Sequence, residues 1–438
     1  MSPPRSVSPS ASNSQWNIIK HVLIGTHKIY PLTTKMHQRL IIQYLGTIGE
    51  YQDLLGLAYE GNSMSLLFDF INIDFTDDIR FTFDALKYLC SLLVHRKFAL
   101  EFIARKGVEA LLKVPSTSLA AVGVATCFYY LSYGEDVMEK VCQLSDNVLD
   151  ELMDYVLWVQ EHSHESGMAS ATMFLSHALS FRAILDRFDV KDGPRKMCNY
   201  MSTLTLLQDS SNDVDLTEEQ IQTSTQTVRN ACSALRCYVA SHLYLRVEQY
   251  RRHSNIITSK GTLSNNAIAT LRPLSVTQSA NIPYYKPMNL EDDILRQAVW
   301  MLASLHKVHY LPWKAIEDLC NLGVIKVLLV VLLRAHEWTS PNTGRTEIAV
   351  NALEAIWISA TMPRVQKELC QTIKNYDSTS GQSGLAYVFL SFHDHHFHDS
   401  PSTDICNCFL LWYYYVESIF VQITFSLTND SVVVYIEL

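Results

Sequence analysis

The stretch Leu89-Cys90-Ser91-Leu92, followed by Gly107-Val108-x-x-Leu111-Leu112, has a counterpart far down the chain. There it reads Leu302-Ala303-Ser304-Leu305, then Gly323-Val324-x-x-x-Leu328-Leu329. Around the first copy, Phe83, Leu86, Leu89, Cys90 and Leu93 recur at the i, i+3, i+4 spacing of an amphipathic helix over Phe83–Val94. A second helix is predicted over Phe98–Ile103, and Gly107 is assigned the left-handed C-cap that turns the chain into a third. Leu295–Leu305, Ile316–Leu322 and Ile325–Leu329 repeat the order, and fresh stripes follow at Ala120–Tyr130 and Ile348–Ile358. Helix, helix, glycine, helix is the armadillo/HEAT rhythm of about 40–47 residues. Each unit leaves an apolar face that only a neighbour covers, so the sequence predicts an all-α, armadillo-like helical repeat solenoid. Working back from this motif, Ile41, Leu45 and Ile48 mark another short apolar face, continued by Leu54, Leu55, Ala58 and Tyr59.

Composition agrees with stacked helices. Of 438 residues, 15 are Gly and 13 Pro, about half the usual ~12%. That is too few for a sandwich or propeller, which needs a turn residue every ~10 positions. Apolar residues make up 48% and charged residues 18%, so a large core is available. The net charge of −9 offers no basic footprint, which argues against nucleic-acid binding.

The ten cysteines are scattered and include no CxxC pair. Most fall in apolar helical patterns, where a reduced thiol behaves as a small hydrophobe, and a reducing compartment is expected. Residues 1–15 are Ser/Pro-rich without an apolar core, so they read as a disordered lead-in rather than a signal peptide. Ser8-Pro9 within them is a bare phosphorylation dipeptide. Helical regions are assigned to 16–250 and 289–404, separated by a linker or long loop at 251–288 that carries Pro273, Pro283 and Pro287. The first region ends in a long helix that begins at a capping box, Thr217-Glu218-Glu219-Gln220, and runs to about Arg252. Residues 405–438 form a divergent apolar tail. Glu417 near the centre of its longest run, and the absence of a flanking positive cluster, argue against a membrane span. The plainer readings are a buried final helix or strand pair, or a C-terminus that is not the natural continuation of the fold.

No constellation carries catalysis. There is no G-x-S-x-G elbow, no H-E-x-x-H helix and no glycine-rich phosphate loop. His95-Arg96-Lys97 and Phe188-Asp189-Val190 only echo kinase motifs. The densest ligand cluster, His393-Asp394-His395-His396-Phe397-His398-Asp399, lacks the distant second pair of a structural zinc site, and His162-Ser163-His164-Glu165 does not share one helix face. Arg246, Arg251, Arg252 and His253 are expected to form a solvated helix end. No catalytic, cofactor-binding or metal residue is assigned, and no cofactor is expected.

Several long strings carry a resemblance. Val22-Leu23-Ile24-Gly25-Thr26, Gln38-Arg39-Leu40-Ile41-Ile42-Gln43-Tyr44-Leu45, Gly49-Glu50-Tyr51-Gln52-Asp53-Leu54-Leu55, Cys127-Phe128-Tyr129-Tyr130-Leu131-Ser132-Tyr133 and Ser180-Phe181-Arg182-Ala183-Ile184-Leu185 are collinear with the Vpr-binding protein family. It resembles that family over 16–250, more weakly over 289–400, and not in the tail. The family comprises substrate receptors of cullin-4 RING ubiquitin ligases. The resemblance implies an armadillo-like region without catalytic residues, with the ligase adaptor and substrate proteins as partners and the nucleus and cytoplasm as location. The family's WD40 propeller, LisH motif and acidic tail have no counterpart in these 438 residues, which puts adaptor docking by this stretch in question.

The function expected is therefore a non-catalytic substrate-receptor or scaffold component contributing to protein ubiquitination. An atypical, casein-kinase-like serine/threonine kinase is one alternative, since a kinase activity has been attached to this region of the family. A free-standing armadillo adaptor is the other; Trp300, Trp313, Trp338 and Trp357 are too irregular for its groove ladder.

Overall fold

In the computed structural model, residues 22–24, 27–30, 32–204, 207, 218–258, 283–308, 312–337 and 344–369 are described, with strand residues 372–373, 382–383, 423–428 and 431–436. The chain divides into two compact units, Met1–Gly123 and Val124–Leu438. Nineteen helices are present among the described residues, and the all-α, armadillo-like expectation holds for the body of both units. Three two-stranded antiparallel hairpins add to it: β1 (Val22–Ile24) with β2 (His27–Tyr30), β3 (Thr372–Ile373) with β4 (Gln382–Ser383), and β5 (Ile423–Thr428) with β6 (Ser431–Ile436). The last places a strand pair in the divergent tail.

The first unit opens with α1 (Thr34–Ile48), capped by the Thr33 hydroxyl. Short helices follow: α2 (Leu55–Glu60), α3 (Ser63–Ile71) and α4 (Ile73–Thr76). Then comes a triplet, α5 (Ile79–Leu93), α6 (Arg96–Ala104) and α7 (Gly107–Leu112). The Asp78 carboxylate caps α5 by accepting from the amides of Arg80 and Phe81. Phe98 and Phe102 on α6 are fully buried, Phe102 stacked on Phe68 at 5.4 Å, each contributing about 1.5–3 kcal/mol of burial.

Gly107 does not serve as the left-handed cap that its spacing predicts. Lys106 takes that conformation, at φ 63°, while Gly107 starts α7 and lies directly beneath the Phe102 ring, where a Cβ would collide. The same device recurs at Asp192-Gly193 under Phe188, a third copy that the sequence reading missed. Gly323 does fit the expected role: its φ is +77° and open space surrounds the Cβ position.

The predicted apolar face of α1 is also on the other side from its buried one. Ile42 is its only buried residue, and α1 meets α5 through Arg39, Gln43, Gly46 and Gly49. Arg39 and Gln43 both donate to Asp84, at 2.8 and 3.0 Å, and Lys35 donates to the Thr76 carbonyl. Ile41 is 57% exposed.

The second unit repeats the triplet. It contains α8 (Ala121–Tyr133, which begins at the unit boundary), α9 (Glu135–Val141) and α10 (Asp146–His162), then α11 (Glu165–Ala178), α12 (Arg182–Val190) and α13 (Gly193–Ser202). First helices start at Ile79, Ala121 and Glu165, spaced about 42–44 residues, the armadillo period. Phe128, Phe174, Phe181 and Phe188 form much of the core.

The next triplet is interrupted. Its first helix is α14 (Glu218–Thr258), 41 residues long, which packs between α11 and α18 (Arg345–Ser359). It starts at the residue after Thr217, which itself lies outside the described residues. Its partners α16 (Lys314–Asn321) and α17 (Val324–Glu337) arrive only after α15 (Asp292–Val308), which packs along α14. The Leu302–Leu305 stripe therefore belongs to an inserted helix, and α14 occupies the first-helix place. α18 and α19 (Pro363–Leu369) close the described helices, with Arg229–Glu347 (2.9 Å) and Arg236–Glu354 ion pairs joining α14 to α18.

The linker assigned to 251–288 is thus entered by α14 as far as Thr258. At its other end Pro283–Met288 forms a strap on the notch between α11 and α12. The Ala183 amide donates to the Tyr284 carbonyl (3.1 Å), the Met288 amide to the Ser180 carbonyl (2.9 Å), and Phe181 pairs with Pro287. Arg187 secures the same place, donating to Asp146, Asp150, the Ala183 carbonyl and the Tyr284 hydroxyl.

Candidate functional site

A cleft of about 540 Å³ opens within the second unit among α12, the start of α13, α14 and α16. Each wall has a local cause. α12 stops where Asp192 adopts a left-handed conformation and Phe188 folds over Gly193, which swings Asp189 and Asp192 to the rim. The continuous α14 carries Tyr238, His242 and Arg246 past this rim at helical spacing, three to four residues apart on one face. Trp313, buried at the start of α16, brings in Lys314 and Asp318.

The polar groups interlock. Tyr238 donates its hydroxyl to Asp189 Oδ1 at 2.9 Å, and His242 Nε2 lies 3.1 Å from Asp189 Oδ2, with the two rings edge to face at 4.5 Å. Burial, reinforced by Asp189, holds the Tyr238 phenol well above its ordinary pKa, so it acts as a donor and not as a base. Burial also raises the Asp186 carboxyl, against the opposing pull of Arg182 3.3 Å away. Arg246 donates to the Pro312 carbonyl (2.6 Å) and Gln249 (3.3 Å) and lies over Tyr250, and burial lowers its pKa.

Asp186, Asp189, Asp192, Glu248 and Asp318 outnumber Arg182, Arg246 and Lys314 in the lining. Among the described residues that line the cleft there is no Ser, Thr or Cys.

Arg246, read as part of a solvated helix end, is only 8% exposed and ties α14 to the start of α16. The cleft residues come from segments about 130 residues apart, so no local motif announces them. The i, i+4 pair Tyr238–His242 was the one available signal. His162 stacks on Trp158 at 5.1 Å, and His164 caps α11, so this pair holds nothing jointly. The His393–Asp399 cluster, Arg251, Arg252 and His253 side chains, and Trp338 lie outside the described residues. Among the described residues no group of three or more ligating side chains could hold a metal, and no helix is long and apolar enough to cross a membrane. The described cysteines are free, and burial pushes the Cys142, Cys232, Cys237 and Cys320 thiols up to about 12, as small hydrophobes rather than nucleophiles.

Comparison with known proteins identifies relatives of this sequence. Residues 4–145 match the Mahjong helical domain and residues 228–404 the DCAF1 helical domain. The chain is 45% identical over 385 residues to DDB1- and CUL4-associated factor homolog 1 of Caenorhabditis elegans, covering 87% of this chain and 22% of that protein. It is 36% identical over 365 residues to Protein mahjong of Drosophila melanogaster, covering 82% and 22%. The chain thus spans about a fifth of the length of the curated relatives it matches. Among solved structures, that of SYS-1 aligns with a TM-score of 0.47 at 10% identity, over 86% of this chain and 49% of that one. With both of its helical regions matched and close identity running through most of its length, the chain belongs to the family of Mahjong and the DDB1- and CUL4-associated factor 1 homologues.

Proposed function

We propose that this chain supplies a non-catalytic, substrate-side part of a cullin-4 RING ubiquitin ligase receptor, contributing to protein ubiquitination. The observation that carries the reading is the 45% identity over 385 residues to a relative whose name states association with DDB1 and CUL4. The helical units are the protein-binding surface in this reading, and the acidic cleft of the second unit takes a polar partner segment. The ligase adaptor and substrate proteins are the partners, and the nucleus and cytoplasm the location.

Tagged chain isolated from cells tests this. It should retain a set of proteins that overlaps the set held by a full-length relative, and Asp189→Asn with Asp318→Asn should thin that set. Probing the same isolates for the cullin-4 adaptor, with and without residues 405–438, assigns adaptor docking inside or outside this stretch. No overlap with the full-length set overturns the reading. Phosphate incorporation into casein or histone by the purified chain would replace it with the kinase.

A further inference from the structure

The cleft of the second unit is one cation short. Asp186 and Asp189 stand one helical turn apart on α12 and both line it, and the charge of Asp189 adds to the burial that raises the Asp186 carboxyl. The buried Arg182 is the cation facing this pair, 3.3 Å from Asp186, yet Arg182 Nε and Asp186 Oδ2 are both without a hydrogen-bond partner. Asp189 accepts from the Tyr238 hydroxyl and lies beside the His242 imidazole, but among the described residues no Lys or Arg forms an ion pair with it. The remaining cations of the lining are committed elsewhere, Arg246 to the Pro312 carbonyl and Gln249, and Lys314 to Asp318 at 3.6 Å.

Two carboxylates that share one guanidinium in a partly desolvated cleft are stabilised by a second cation. A guanidinium answers this better than an ammonium, because its planar fork presents paired donors to neighbouring carboxylates. The volume, about 540 Å³, lies in the ~300–1,000 Å³ range of pockets that bury most of a small ligand, so it admits one long side chain with its flanking backbone rather than a helix. An acidic segment would instead meet Asp186, Asp189, Asp192 and Asp318.

We propose that this cleft takes an arginine side chain from an extended segment of a partner protein, its guanidinium set against Asp186 and Asp189. The proposal rests on the reading of the cleft as a partner-binding surface. Fluorescence polarisation with the full chain tests it, using the capped peptide Gly-Ser-Arg-Gly-Arg-Ser-Gly and its counterpart with citrulline for arginine, which keeps the shape and removes the charge. The arginine peptide should bind about tenfold more tightly, and Asp186→Asn and Asp189→Asn should each remove most of that preference. Asp154→Asn, which changes an exposed carboxylate of α10 outside the cleft, should leave it within about twofold. Equal or undetectable binding of the two peptides by the unaltered chain overturns the proposal, whether or not any variant folds. So does an equal loss in Asp154→Asn, which would assign the preference to net charge. The assay contains no ligase component, so its failure leaves the receptor reading standing. A chain that prefers arginine yet shares no partners with a full-length relative loses the receptor reading alone.

Discussion

The two stretches that look alike in sequence, around Gly107 and around Gly323, solve one problem by different physics. At the first, a lysine bears the left-handed turn and glycine is needed because an aromatic ring lies on its backbone. At the second, glycine bears the turn itself and nothing crowds it. The first copy is continuous, α5 to α7, whereas the second is split, its first helix α14 separated from α16 by an inserted strap and helix. A shared letter at a shared spacing therefore does not carry a shared cause, and a repeat can survive the insertion of a whole helix.

The largest effect should come from the ring that defines the first arrangement. Phe102→Ala is expected to cost about 3–5 kcal/mol in urea unfolding, and Phe188→Ala a similar amount at the third copy. Next, Gly107→Ala should cost about 1–3 kcal/mol by overpacking, with part recovered when Phe102 is trimmed to Leu. Lys106→Gly, which relieves the left-handed lysine, should be neutral or stabilising in the same measurement. If Gly107→Ala were harmless and Lys106→Gly costly, the distinction between the copies would fail.

The split copy gives smaller effects. Arg187→Met removes the donors that pin Tyr284, and is expected to cost about 1–2 kcal/mol and to speed amide exchange at Tyr284–Met288. Gly323→Ala should cost ~1 kcal/mol through backbone strain alone, unrelieved by trimming any neighbour. The smallest effect is electrostatic and serves as a control away from both turns. His177 lies against the Tyr129 and Tyr133 rings on an otherwise exposed side of α11, and partial desolvation lowers its pKa from the usual 6.5. The folded state prefers neutral imidazole, so stability holds above pH 6.5 and is lost as pH falls through that value. Thermal midpoints should drop on acidification, and His177→Phe should flatten that part of the profile.

The triplet rhythm was legible because periodicity reports one buried stripe per helix, as in Leu86, Leu89 and Leu93. It misled at α1, where Ile41, Leu45 and Ile48 form a true apolar stripe that the neighbouring helix does not use. Periodicity reports which residues want cover, not which element provides it. The 218–258 helix was seen but not its place in the repeat, since that depends on α16 and α17 returning from far along the chain. The cleft was invisible for the same reason. Tyr238, Asp189 and Asp318 converge only through tertiary packing, and Arg246 looked like a surface charge because sequence carries no record of the Pro312 carbonyl it meets.

The insertion between α14 and α16 also has a consequence in time. The triplets α5–α7 and α11–α13 close through turns of a few residues, so each can assemble almost as soon as its chain is available. The interrupted unit must bring together ends about 55 residues apart, at a closure cost that rises with the logarithm of that length. Its assembly is expected to lag that of its neighbours, with the strap seated on Ser180 and Ala183 shortening the search by tethering the returning chain.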